Sequence, residues 1–97
     1  MTEKILYLNI YRKWFDAIAS GKKKVEYRRV CDHWKSRLLN RDGKPKNFDY
    51  VIFRNGFQKQ APELKVEFKN LFELSHPSEM PTFGIRLGEV IYVKYQK

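Results

Sequence analysis

The sequence predicts an α+β domain in which a small curled or closed sheet of five or six strands, a β-barrel in outline, packs beside one main amphipathic helix and a short second helix. Three observations carry this prediction. The chain has 97 residues, enough for one compact domain with its own core and too few for two, so residues 1–97 are read as a single domain. Apolar residues recur with period two along most of the chain and switch to a helical period in only two places. With 42% hydrophobic residues, including 7 Phe, 6 Tyr and 2 Trp, the composition can fill such a core.

Residues 4–10 place Ile5, Tyr7 and Asn9 on one parity and Leu6, Leu8 and Ile10 on the other, the pattern of a strand covered on one or both faces. The period then changes. Tyr11, Trp14, Phe15, Ile18 and Ala19 fall at i, i+3, i+4, i+7 and i+8, one stripe of a helix that Gly21 can close in a left-handed turn. The stripe reads as core packing, with Tyr11 at its start partly exposed. Residues 23–29 form a second strand, with Tyr27 sharing the parity of Val25 and hence packed inward. Residues 31–39 form a short helix with Cys31, Trp34 and Leu38 facing the core. The polar, basic stretch 40–47 is a loop. Residues 48–55 read as a central strand, because Tyr50, Val51, Ile52 and Phe53 run together before an Arg54-Asn55-Gly56 turn that carries polar donors. Along residues 63–74, Leu64, Val66, Phe68, Phe72 and Leu74 alternate with charged residues, as in a strand with one wet face. After a turn over residues 77–81, residues 83–87 and 89–95 close the sheet as two strands on either side of Gly88.

The formal charge of +9 implies a polyanionic partner, nucleic acid first among them. Its distribution sharpens the reading. Residues 12–46 hold twelve Lys and Arg against four Asp and Glu, a net of +8, so one third of the chain carries nearly all of the excess. Cys31 is the sole cysteine, which excludes an internal disulfide and makes a cytoplasmic setting the default. No apolar run approaches the roughly 20 residues of a membrane span, and the first residues lack the organisation of a signal peptide, so no membrane partner is expected. Two histidines and one cysteine are a poor supply of metal ligands. The glycines lack phosphate-loop spacing, and no cofactor is called for. Cys31-Asp32-His33 places a thiol near an imidazole, but residues one or two apart on a helix do not share a face.

Residues 21–28, Gly-Lys-Lys-Lys-Val-Glu-Tyr-Arg, set one carboxylate among cations where a helix hands over to a strand. On an extended strand Lys24, Glu26 and Arg28 project from one face about 6.5–7 Å apart. Lys23 has the opposite parity and joins them only if it belongs to the turn after Gly21, which is the expectation here. In that arrangement Glu26 orients the cations, and single replacements of these exposed charges leave folding intact.

Gly21, Lys23, Glu26 and Arg28 fit the G-x-K-x-x-E-x-R signature of the ASCH (activating signal cointegrator homology) domain family, and the chain resembles that family over essentially its whole length. The strand and amphipathic helix before the motif, and the closing strand introduced by Ile85-Arg86-Leu87-Gly88, match as well. The resemblance implies a PUA-like β-barrel that binds RNA through a cleft beside the motif. Some small members are nucleases or nucleoside amidohydrolases. In those that remove the acetyl group of N(4)-acetylcytidine, a threonine at the position of Glu26 is the nucleophile, beside the lysine that matches Lys23; here the hydroxyl is replaced by a carboxylate.

The expected function is therefore that of an RNA or single-stranded nucleic-acid binding module that takes a nucleotide or modified nucleoside in a Lys/Glu/Arg cleft. The candidate binding residues are Tyr11, Arg12, Lys22, Lys23, Lys24, Arg28, Arg29, Arg54 and Asn55, with Lys22, Lys24, Arg28 and Arg29 on phosphates and Arg54, Asn55 and an aromatic such as Tyr11 or Tyr27 on a splayed base. One rival is a hydrolase acting on RNA or a modified nucleoside. There Lys23 and Arg28 stabilise developing negative charge and Glu26 acts as base or positions the water. The other rival is a protein-interaction domain in transcription or translation control, for which the charge is incidental.

Overall fold

A computed structural model describes residues 2–76 and 79–95. The element order is β1 (Ile5–Asn9), α1 (Arg12–Ala19), β2 (Val25–Arg29), α2 (Asp32–Leu38), β3 (Tyr50–Arg54), β4 (Glu63–His76) and β5 (Glu79–Lys94). The five strands form one mixed sheet in the order β1-β3-β4-β5-β2, in which β1 and β3 are parallel and every other neighbouring pair is antiparallel. The sheet curls into a half-barrel because β4 and β5 are long and irregular. Their pairing shifts register between Lys65 and Val66, Val66 and Phe68, and Phe68 and Asn70, and each such irregularity bends a strand and increases its twist. One end of the β4–β5 ribbon pairs with β3 through Glu63–Glu67, the other with β2 through Thr82–Arg86. The curl brings the two edge strands, β1 and β2, toward each other.

The core fills the concave side. Leu6 and Leu8 of β1, Val51 and Phe53 of β3, Leu64 and Val66 of β4, and Phe83, Ile85 and Leu87 of β5 are buried there with Phe15 and Ile18 of α1 and Leu38 of α2. Burial of a side chain of this size stabilises the fold by about 1.5–3 kcal/mol. α1 ends as its sequence implies. Gly21 has φ +82, its N–H bonds to the Ile18 carbonyl at 3.0 Å, and the Lys23 N–H returns to the Ala17 carbonyl at 3.0 Å. Lys23 thus belongs to the turn, ahead of the regular strand.

Four expectations are corrected. The two closing strands are one, since β5 runs unbroken through Gly88. That glycine is a close approach: a Cβ there would collide with the Glu67 carboxylate and the Lys69 stem. The sheet consequently has five strands among the described residues, the lower of the two numbers expected. The alternation of β4 breaks at Phe68–Asn70, so that Leu71 packs against the core while Phe72 crosses to the outer face over Gly84 and Leu74 is exposed. In β2 the inward parity belongs to the charges: Glu26 is 6% exposed and Tyr27 is 48% exposed. The turn expected over 77–81 is also shorter, with β4 reaching His76 and β5 starting at Glu79; residues 77 and 78 lie outside the described residues.

Candidate functional site

Where the curl leaves β1 and β2 unpaired, an open cleft of ≈ 1010 Å³ forms between them. It is lined by Asn9, Ile10 and Tyr11 at the end of β1, Trp14 of α1, Lys23, Glu26, Tyr27, Arg28 and Arg29 of the turn and β2, and Asn55, Gly56 and Phe57 after β3. The floor is an ion cluster. Arg28 grips Oε2 of Glu26 through Nε (3.0 Å) and Nη2 (2.6 Å), and the Lys23 Nζ lies 3.4 Å from Oε1. Glu26 is thus engaged on both oxygens, and the cluster carries a net +1. All three side chains are largely buried, so each depends on the others in a way exposed ion pairs do not.

Arg28 does more than hold Glu26. Its Nη2 also donates to the Asn9 carbonyl at 3.0 Å, tying β2 to β1 across the gap, and its guanidinium lies 4.9 Å from the Trp34 ring centroid. The hydrogen bonds to Glu26 and Asn9 use Nε and Nη2 and do not engage Nη1. Lys23 sits 4.9 Å from the Trp14 ring centre and 5.4 Å from that of Tyr27. These distances are in the cation–π range, which holds the ammonium between two rings without consuming its hydrogen-bond donors.

The walls are aromatic and exposed. Tyr11 is 82%, Trp14 41% and Phe57 88% exposed. The α1 stripe, read from its spacing as core, is therefore divided: Phe15 and Ile18 are buried, while Trp14 faces the cleft. A second Lys, Lys13, lies 4.7 Å from the Trp14 centroid. The loop that carries Phe57 is anchored by side chains. Asn9 Nδ2 donates to the Gly56 carbonyl at 2.9 Å, the Gly56 N–H donates to Asn9 Oδ1 at 3.2 Å, and Asn55 Nδ2 donates to the Ile10 carbonyl at 3.0 Å. Gly56 has φ +123, a conformation side chains rarely tolerate.

Of the expected binding residues, the cleft gathers Tyr11, Lys23, Arg28, Arg29 and Asn55, together with Glu26. Arg29 at the rim donates to the Met80 sulfur, a weak acceptor. Lys22 and Lys24 are exposed beside the cleft without lining it. Lys24 therefore does not join Glu26 as its spacing implied, because Lys23 takes that place from the turn. Arg12 pairs with Asp16 at 3.0 Å and lies over Tyr95, outside the cleft. Arg54 is the clearest correction: its Nη2 donates to the Gln58 and Lys59 carbonyls at 2.8 and 3.3 Å, so it braces the loop instead of meeting a base.

Asn9, Trp14 and Phe57 were missed as site residues, and Trp34 as the partner of Arg28. Two of these left a signal. Asn9 is a lone amide ending an apolar strand, and Phe57 an isolated ring in a polar Asn-Gly-Phe-Gln turn. No group of three His, Cys, Asp or Glu stands close enough to hold a metal among the described residues. No helix of the described residues is long and apolar enough to cross a membrane. No family model matches the chain, and neither a curated protein nor a solved structure is significantly similar to it.

Proposed function

We propose that the chain is a single-stranded RNA-binding domain of the ASCH type, built as an open PUA-like barrel, that holds one nucleotide in the cleft between β1 and β2. The observation that carries this reading is the convergence of Lys23, Glu26 and Arg28 on the floor of a cleft walled by exposed aromatic rings. Glu26 aims the two cations. Nη1 of Arg28 and the ammonium of Lys23 then offer hydrogen bonds to acceptors on a base edge or phosphate, and Trp14 or Tyr27 offers a ring to a splayed base. Lys22, Lys24 and Arg29 beside the cleft suit the phosphates of the continuing strand.

Binding is favoured over hydrolysis on two grounds. Both oxygens of Glu26 are engaged by cations, and none of the residues lining the cleft is a Ser, Thr, Cys or His. The test is binding of a single-stranded RNA oligonucleotide followed by fluorescence anisotropy across a salt series. With three phosphate contacts the log–log slope is about −2, and Arg28→Lys weakens binding about tenfold, because a lysine cannot hold Glu26 and a ligand at once. Affinity indifferent to both salt and Arg28→Lys overturns the proposal. Turnover of RNA or of a modified nucleoside that is lost in Lys23→Ala would restore the hydrolase reading.

A further inference from the structure

Phe57 is the most exposed large apolar side chain in the cleft wall, at 88%, and Tyr11 at 82% is the next. Neither is there by looseness of the chain. The Phe57 loop is fastened ahead of the ring by Asn9 on both polar atoms of Gly56, and behind it by Arg54 on the Gln58 and Lys59 carbonyls and by the Ala61 N–H on the Gln58 carbonyl at 3.0 Å. Three polar side chains, Asn9, Arg54 and Asn55, thus hold a tight loop whose tip packs on almost nothing. Tyr11 is likewise fixed through its backbone: its carbonyl accepts the Trp14 and Phe15 N–H groups at 3.0 Å each as the start of α1, while its ring projects outward. Rigid backbone under an exposed ring is the arrangement that stacks a base with little loss of conformational freedom on binding.

From this we infer that the site takes a run of about three nucleotides of single strand, the central base in the cleft and the two flanking bases stacked on Phe57 and Tyr11. The inference rests on the proposed single-stranded RNA reading and adds to it the length of the ligand and the rings that hold its flanking bases. Charge decides between nucleic acid and an apolar protein surface as the occupant. Of the chain's net +9, residues 12–46 supply all but one unit, and this segment contains Trp14, Lys23 and Arg28 of the cleft. A duplex cannot present three splayed bases without unpairing.

The experiment uses the full chain, a labelled random-sequence ribohexanucleotide, the same sequence pool annealed to its complement, and a mixture of the four ribonucleoside monophosphates as competitor. The single-stranded hexamer should bind at least about tenfold more tightly than either the duplex or the monophosphates. Phe57→Ala and Tyr11→Ala should each weaken the hexamer by about fivefold or more, the lower end of base–aromatic stacking, and weaken the monophosphates less. Both rings are exposed, so thermal midpoints should stay within a few degrees of wild type, and that measurement separates lost stacking from lost folding. Equal binding of duplex and single strand, or hexamer affinity unchanged in both variants, overturns the three-nucleotide inference while leaving a nucleotide cleft standing. Absence of binding to every nucleic-acid probe, with retention of a protein partner that Phe57→Ala releases, overturns both.

Discussion

Glu26 shows how burial changes what a charge is for. Read as an exposed residue, it is replaceable; at 6% exposure, between Lys23 and Arg28, it is the counter-charge that allows two cations to stay inside. Glu26→Ala is expected to destabilise the protein by about 3–5 kcal/mol, the usual cost of leaving buried charge uncompensated. Lys23→Ala, which leaves the Arg28–Glu26 pair intact, should cost about 1 kcal/mol; urea denaturation of the two variants measures the difference. A comparable loss in both would mean that Glu26 does not anchor the cluster. On the outer face of the sheet Tyr92 donates to Glu63 Oε2 at 2.6 Å. Burial, aided by that hydrogen bond and by the negative charge of Glu63, raises its phenol from 10.0 to about 12. The folded protein therefore holds this proton more tightly than the unfolded chain. The resulting stability is complete below pH 10 and is lost as the pH rises to 12. The thermal-midpoint advantage of wild type over Tyr92→Phe should accordingly shrink across that interval. A constant gap would show that the phenol titrates alike in both states.

The strands tell two different stories about legibility. β1 and β3 were readable, since Leu6, Leu8, Val51 and Phe53 point inward at the spacing their parity requires. In β4 the parity reverses at the Phe68–Asn70 irregularity, and the local pattern marks it only by a polar Asn70 on the apolar parity and Leu71 on the charged one, with Phe72 and Leu74 continuing the original alternation. The explanation lies on the neighbouring strand: the Phe72 ring covers Gly84, where any side chain would collide with it. Gly84→Ala should therefore cost about 1–3 kcal/mol by overpacking, and much of that should return in the Gly84→Ala/Phe72→Leu double variant, as contacting residues are non-additive. Strict additivity in denaturation would count against the Phe72–Gly84 contact. At the end of α1 the glycine signal was sufficient by itself. Gly21 has positive φ and no neighbour within 4 Å of a built Cβ, so Gly21→Ala should cost about 1 kcal/mol through conformation alone.

The half-barrel has two edge strands, β1 and β2, and arginines cap carbonyls on the β1 edge. The Tyr7 carbonyl on the outer side of β1 accepts Arg37 of α2 at 2.8 Å, and the Asn9 carbonyl accepts Arg28 of β2. Capping edge carbonyls in this way removes part of a template for pairing with another chain, and the bond from Arg28 to Asn9 joins the cleft floor to the β1 edge. Arg28→Lys keeps the charge but cannot span Glu26 and Asn9 together. It should speed amide exchange in β1 and β2 while the β4–β5 ribbon stays protected; uniform acceleration would indicate global destabilisation instead. What local spacing decided by itself is the α+β class, the two helices, the concentration of charge and the membership of Gly21, Lys23, Glu26 and Arg28 in one turn-and-strand unit, because each depends on neighbours within a few residues. What tertiary structure alone decided is which way the unit faces. The curl of β4 and β5 turned Glu26 inward and Tyr27 outward, and brought Asn9 and Phe57 to the cleft from segments distant in sequence. Those outcomes depend on contacts between residues about 20 to 50 apart in the chain, beyond the reach of any local period.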